Sequence, residues 1–247
     1  MRTTATFLAF GRNDLVSIRR DSLLRMLIVA PFAYAALVRF PVPPLTELLD
    51  QRYGVDLVAY YPLIVSFFTV LGQAAILGAL AGLLLLDEKD TATLHAVRVT
   101  PASLTGFAAY RVTTVIAAVT VYTVVSTSLS GLMAWSTLPG TAAAGLCAGL
   151  VAAGVALSMA LIADNKVEGM AVVRALGLLL LGLPMLPYFI PTPWEWLFGL
   201  LPSYWPAKIY WVAAKGGTLW PYLLIGVAYN AAVLTLLLRG YSRRHFT

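Results

Sequence analysis

The run Asp87-Glu88-Lys89-Asp90, followed by Thr91, His95 and Arg98, is the densest set of groups in this chain that could do chemistry. It is wedged between two of the longest apolar runs, and charges this dense have no place in hydrocarbon, so the segment forms a short element on one face of a membrane. Thr91, His95 and Arg98 recur at i, i+4 and i+7 and share one side of a helix, while Leu94, Val97 and Pro101 fall on the neighbouring side. The acidic residues favour the start of that helix through its dipole, and Pro101 stops it by disfavouring helical geometry at Thr100. The chemistry open to such a one-sided knob is recognition; an ordinary solvated loop has the same composition.

Catalysis finds little to work with. The two histidines, His95 and His245, lie outside the apolar runs, and Cys147 sits inside one, where it reads as a packing residue. There is no Gly-x-x-x-x-Gly-Lys-Ser/Thr loop to hold nucleotide phosphates, and no metal-ligand set, Ser/His/Asp arrangement or carboxylate pair. No Asp, Glu, His or Lys lies deep in an apolar run, which disfavours a proton relay. Work done by this chain therefore draws its energy from elsewhere.

The elements that position these residues are membrane spans. Of 247 residues, 60% are hydrophobic and 11% charged, too little polar surface for a soluble domain of this size. The 17 Lys plus Arg against 11 Asp plus Glu flank apolar runs and do not form one patch, so they speak for orientation and against nucleic acid. Residues 1–22 mix Arg12, Arg19 and Arg20 with Leu15 and Ile18 at helical spacing, the pattern of a helix lying among headgroups. Ala33-Tyr34-Ala35 imitates a signal cleavage site, but the region before it is too long for a secretory signal.

Six spans are expected, at 23–40, 57–86, 107–134, 141–163, 172–190 and 222–238. The first is barely long enough for a core of about 30 Å at about 1.5 Å per residue, and Pro41, Pro43 and Pro44 end it. A short amphipathic piece from Leu45 to Tyr53 follows, with Thr46 as cap and Gly54 closing it. Residues 191–220 carry prolines among tryptophans with only short apolar pieces, read as re-entrant helices that protein must shield. Placing the amino terminus, residues 87–111, 164–174 and the tail on one side gives that side thirteen basic residues and the other four, Arg39, Arg52, Lys208 and Lys215. The first side is then cytoplasmic, both termini with it, and all six Trp fall at or near the opposite interface.

Several of these residues together resemble a known family. A basic amino-terminal helix with Asp14 and Arg20-Asp21, a long second span ending Leu86-Asp87-Glu88-Lys89, then Thr93-Leu94, Val99-Thr100-Pro101 and Arg111, and the segment Leu201-Pro202-Ser203-Tyr204-Trp205-Pro206, are similar to the permease subunits of type-2 ABC exporters. More narrowly, the chain resembles small actinobacterial permeases of fluoroquinolone export. The resemblance implies an all-α integral membrane protein with six transmembrane helices, an amino-terminal interfacial helix bearing Asp14, Arg19, Arg20 and Asp21, a cytoplasmic coupling helix and outer re-entrant helices before the last span. It implies that Asp87, Glu88, Thr91, Leu94, His95, Val97, Arg98 and Pro101 meet a cytosolic ATP-binding subunit, that a second permease copy or paralogue completes the complex, and that the complex sits in a bacterial plasma membrane. ATP and magnesium belong to that partner, with no cofactor in this chain. Family members often have Gly-Thr where Ala92-Thr93 stands; Ala favours the helix while weakening the motif.

For the cargo, Ser66, Phe67 and Gln73 on the second span, Thr120, Thr123 and Thr127 on the third, and Tyr204 and Trp205 before the last are candidates for a polar, aromatic path for a hydrophobic or amphipathic molecule, a drug or lipid. The hydroxyls serve packing equally well by bonding to carbonyls one turn back, and the aromatics serve as interface anchors. Gly78-x-x-x-Gly82 and Gly145-x-x-x-Gly149 allow close helix approach. An integral membrane scaffold, docking a cytosolic protein through the same knob without transport, shares all of these features.

Overall fold

The computed structural model describes residues 11–12, 14–90, 104–190 and 194–246, and among them there is no strand. Six helical stretches are long and apolar enough to cross a membrane: Ser22–Tyr53, Val58–Glu88, Ala109–Ser130, Trp135–Ile162, Lys166–Tyr188 and Trp220–Tyr241, here spans 1 to 6. Spans 2 and 4 are buried over 67% of their most apolar windows against 17–28% for the rest, so they form the axis around which the others pack.

Local chemistry explains where the helices begin and end. Asp21 caps span 1, accepting from the amides of Leu23 at 2.9 Å and Leu24 at 3.4 Å. The helix stops at Arg39 and resumes at Val42, with prolines in its first turn, where a missing N–H has no helical acceptor to lose. Thr46 does not cap this helix. It lies one turn inside, donating to the Val42 carbonyl at 2.8 Å and pairing with the Tyr61 hydroxyl at 3.0 Å. Gly54 closes the helix at φ 63°, a left-handed conformation that favours glycine. Span 5 begins at Lys166, earlier than hydropathy suggests, because the Asn165 side chain accepts from the Val167 and Glu168 amides and lets a charged turn be helical.

Small residues set how closely the axis packs. A Cβ on Gly78 would stand 2.8 Å from the Ala152 carbonyl oxygen of span 4, and one on Gly82 would collide with Met159. Gly145 and Gly149 face span 3, where a Cβ on Gly149 would lie 2.7 Å from the Ile116 Cα. Both glycine pairs therefore serve contacts within the chain. Gly149→Ala is expected to cost about 1–3 kcal/mol because backbone, not a flexible side chain, must give way. Gly177→Ala, with nothing within 4 Å, is the near-neutral control, and thermal unfolding in detergent separates them.

Spans 2 and 5 each contain a wide turn, at Ser66–Leu71 and Leu178–Gly182, where the helix bonds i to i+5. Between spans 5 and 6 lie a 3-10 helix, Trp194–Leu200, and an α-helix, Tyr204–Ala214. At about 1.5 Å per residue the latter's 11 residues reach about half way across a hydrocarbon core. Its buried face, including Tyr204, Ile209 and Trp211, rests largely on span 4.

Candidate functional site

One end of the bundle carries a cluster of charges built from three distant parts of the chain. Arg111, near the start of span 3 and 5% exposed, donates through one terminal nitrogen to Asp14 Oδ2 at 2.8 Å and through the other to Glu88 Oε1. The Tyr110 hydroxyl donates to the same Asp14 oxygen at 2.8 Å. Beside this cluster Lys166 bridges Asp21 Oδ2 at 3.1 Å and Asp87 Oδ1 at 3.0 Å. Burial works against a charge on Asp21, yet the Lys166 ammonium and the Leu23 and Leu24 amides outweigh it and hold the carboxyl below the usual carboxylate range. That tie is present at neutral pH and is lost only as pH falls through the lowered value.

Of the residues expected at the partner contact, Glu88, 8% exposed, is ion-paired to Arg111, and Asp87 is ion-paired to Lys166. The other coupling residues, Thr91, Leu94, His95, Val97, Arg98 and Pro101, lie outside the described residues. Arg111 was legible only as a basic residue opening a span, and nothing in the sequence pointed to Lys166. Asp14 and Asp21 share an inward face at seven-residue spacing, the signal that could have found their partners. Lys166→Met is expected to cost about 1 kcal/mol or less, since its side chain is 31% exposed, and a shift of a few degrees in Tm reads it.

A second constellation is a polar seam between spans 2 and 3. Thr69 and Thr127 share a hydrogen bond of 2.7 Å, and Gln73 Nε2 donates to Ser126 Oγ at 3.2 Å, all four side chains fully buried. Gln73 Oε1 and Thr123 Oγ1 are buried without a hydrogen-bond partner among the described residues. Towards the opposite end Ser66 accepts from Trp211 Nε1 at 2.7 Å, joining the seam to the Tyr204–Ala214 helix. Of the candidate path residues, the structure gathers Ser66, Gln73 and Thr127 here and adds Thr69, which completes a stripe with Ser66 and Gln73 at helical spacing, while Thr123 lies against Gly145 of span 4.

The others do not join it. Thr120 bonds back to the Ile116 carbonyl at 2.7 Å and lies under Gly145 of span 4. Phe67 packs edge-on against Phe68, 5.0 Å between centroids. Tyr204 and Trp205 are buried on the Tyr204–Ala214 helix; Trp205 lies against span 6, where a Cβ on Gly226 would stand 2.8 Å from the Trp205 Cβ, and its Nε1 donates to the Gly199 carbonyl at 3.0 Å. Trp205 and Trp211 are interior, while Trp135, Trp194, Trp196 and Trp220 are exposed as interface anchors are. At this aromatic end Lys208 and Glu195, 2.7 Å apart and both largely buried, clamp the two short helices together. Between spans 4, 5 and 6 a cavity of about 150 Å³ has apolar walls apart from Ser158 and Asn230, room for a single aromatic ring.

These features define a polytopic all-helical membrane protein with an ion-paired end and a buried polar seam along its axis. The family described as "Fluoroquinolones export permease protein Rv2686c-like" matches residues 14–238, and the chain belongs to it. It is 46% identical over 237 residues to two proteins named fluoroquinolones export permease protein, MT2760 of Mycobacterium tuberculosis (strain CDC 1551 / Oshkosh) and Rv2686c of strain ATCC 25618 / H37Rv. The alignments cover 96% of this chain and 94% of each relative.

Proposed function

We propose that this chain is the membrane-spanning subunit of an ATP-driven exporter that moves a hydrophobic or amphipathic molecule, of the fluoroquinolone type or a lipid, out through the plasma membrane. A separate cytosolic subunit binds ATP and magnesium, a second permease copy or paralogue completes the path, and both termini face the cytoplasm. The observation that carries this reading is the tie between Glu88 and Arg111, which joins the ends of spans 2 and 3 on either side of the segment expected to meet the partner. A push on that segment then reaches both spans together, and Asp14 draws the amino-terminal helix along. The Thr69, Gln73, Ser126 and Thr127 seam is where those two spans meet, so their separation would offer cargo a polar stripe in an otherwise apolar wall. Family membership supports the same reading.

The test is reconstitution with the ATP-binding protein of the neighbouring reading frame. Inverted vesicles are expected to accumulate norfloxacin only with ATP and magnesium present. Accumulation by the permease alone, or a stable preparation that binds no ATP-binding protein, overturns it.

A further inference from the structure

Residues 12–25 hold four arginines and two aspartates, and the fold separates the two signs. Asp14 and Asp21 turn inward and are held by Arg111, Tyr110 and Lys166. Arg12, Arg19, Arg20 and Arg25 are all exposed and form no ion pair among the described residues. Leu15 and Val16, 62% and 39% exposed, stand between Arg12 and Arg19 on the same outward face, while Ile18 on the opposite face packs against the core. The result is a surface with its negative charges removed inward, presenting guanidinium and aliphatic groups in alternation at the end of the bundle where span 1 enters hydrocarbon.

We propose that this face binds anionic phospholipid, with Arg12, Arg19, Arg20 and Arg25 on the phosphate-bearing headgroups and Leu15 and Val16 on the first carbons of the acyl chains. Charge complementarity selects the occupant. Guanidinium groups pair with phosphate through planar forks, and basic side chains at this depth are attracted to an anionic leaflet. The two aliphatic side chains distinguish a lipid from free phosphate or from a purely acidic protein surface, because they need apolar contact in the same footprint. The inference is independent of the transport reading, since it uses only the orientation of the helix and its charges.

The full-length chain in phosphatidylcholine nanodiscs, probed with spin-labelled phosphatidylglycerol or phosphatidylcholine, tests it. The anionic label is expected to associate at least fivefold more strongly than the neutral one, and raised sodium chloride is expected to reduce that preference. Inorganic phosphate should reduce it no more than chloride at equal ionic strength. The quadruple change of these arginines to Gln should bring both labels to the same level. If that variant does not fold, the pair Arg19→Gln and Arg20→Gln is expected to lower the preference at least twofold, with Arg174→Gln as an exposed basic control that leaves it unchanged. Equal association of both labels with the native chain, as an acidic protein partner for this face would give, overturns the proposal. So does a preference that survives in the arginine variants, or one that free phosphate abolishes.

Discussion

Changing Arg111 to Met is expected to destabilise the bundle by about 3–5 kcal/mol, since it leaves Asp14 and Glu88 facing each other in a buried site without a counter-charge. The measurement is thermal unfolding of the purified protein, where a loss of this size in a chain of 247 residues lowers Tm by roughly 10 °C. Arg111→Lys is expected to recover part of the loss, because an ammonium keeps the charge but cannot fork between two carboxylates as a guanidinium does. Exchanging the pair, Glu88→Arg with Arg111→Glu, restores the link across spans 2 and 3 but sets the new carboxylate against Asp14. It should therefore rescue ATP-dependent export incompletely, while Arg111→Met abolishes it. An Arg111→Met protein that melts like the native one would show that these ion pairs carry no load.

The second large effect concerns Gln73, where stability and transport are expected to part. Replacement by Met keeps the volume, removes the buried carbonyl that has no partner, and gives up one hydrogen bond to Ser126 at its long limit of 3.2 Å. The unpaired group costs about 1–3 kcal/mol against about 0.5–1.5 for the lost bond, so the variant should be as stable as the native chain or slightly more so. On the proposed transport path export should nevertheless fall at least tenfold, because the stripe between spans 2 and 3 loses its one amide. Equal export by the two proteins would return Gln73 to a packing role. Both readouts come from one preparation, which keeps a folding defect from passing as a transport defect.

What could be read from the sequence divides along physical lines. Hydrocarbon thickness fixes how long an apolar run must be, so six crossings are visible in composition alone, as is the brevity of the helix before the last one. Their limits are less visible, because hydropathy treats a charged turn as loop; Asn165 makes Lys166 to Glu168 helical by capping, which no average over side chains registers. The partners of Glu88 and Asp14 were hidden for another reason. Arg111 meets them from 23 and 97 residues away, and spacing within one helix carries no trace of such pairs. The seam was half legible: hydroxyls crowd span 3, yet Thr69 passes unnoticed until it is set on the same face as Ser66 and Gln73. Tyr204 and Trp205, plausible stacking surfaces by type, are consumed by the short helix's own contacts.

The electrostatic link between Glu88 and Arg111 has a consequence for how such proteins diversify. Because it joins the end of span 2 to the start of span 3, and Tyr110 and Asp14 share in it, the bundle closes this end with its own residues. Substitutions in the stretch 91–103 can then accumulate with that closure left standing. Under the proposed function, adopting a different ATP-binding partner would then require rewriting that stretch and not the bundle.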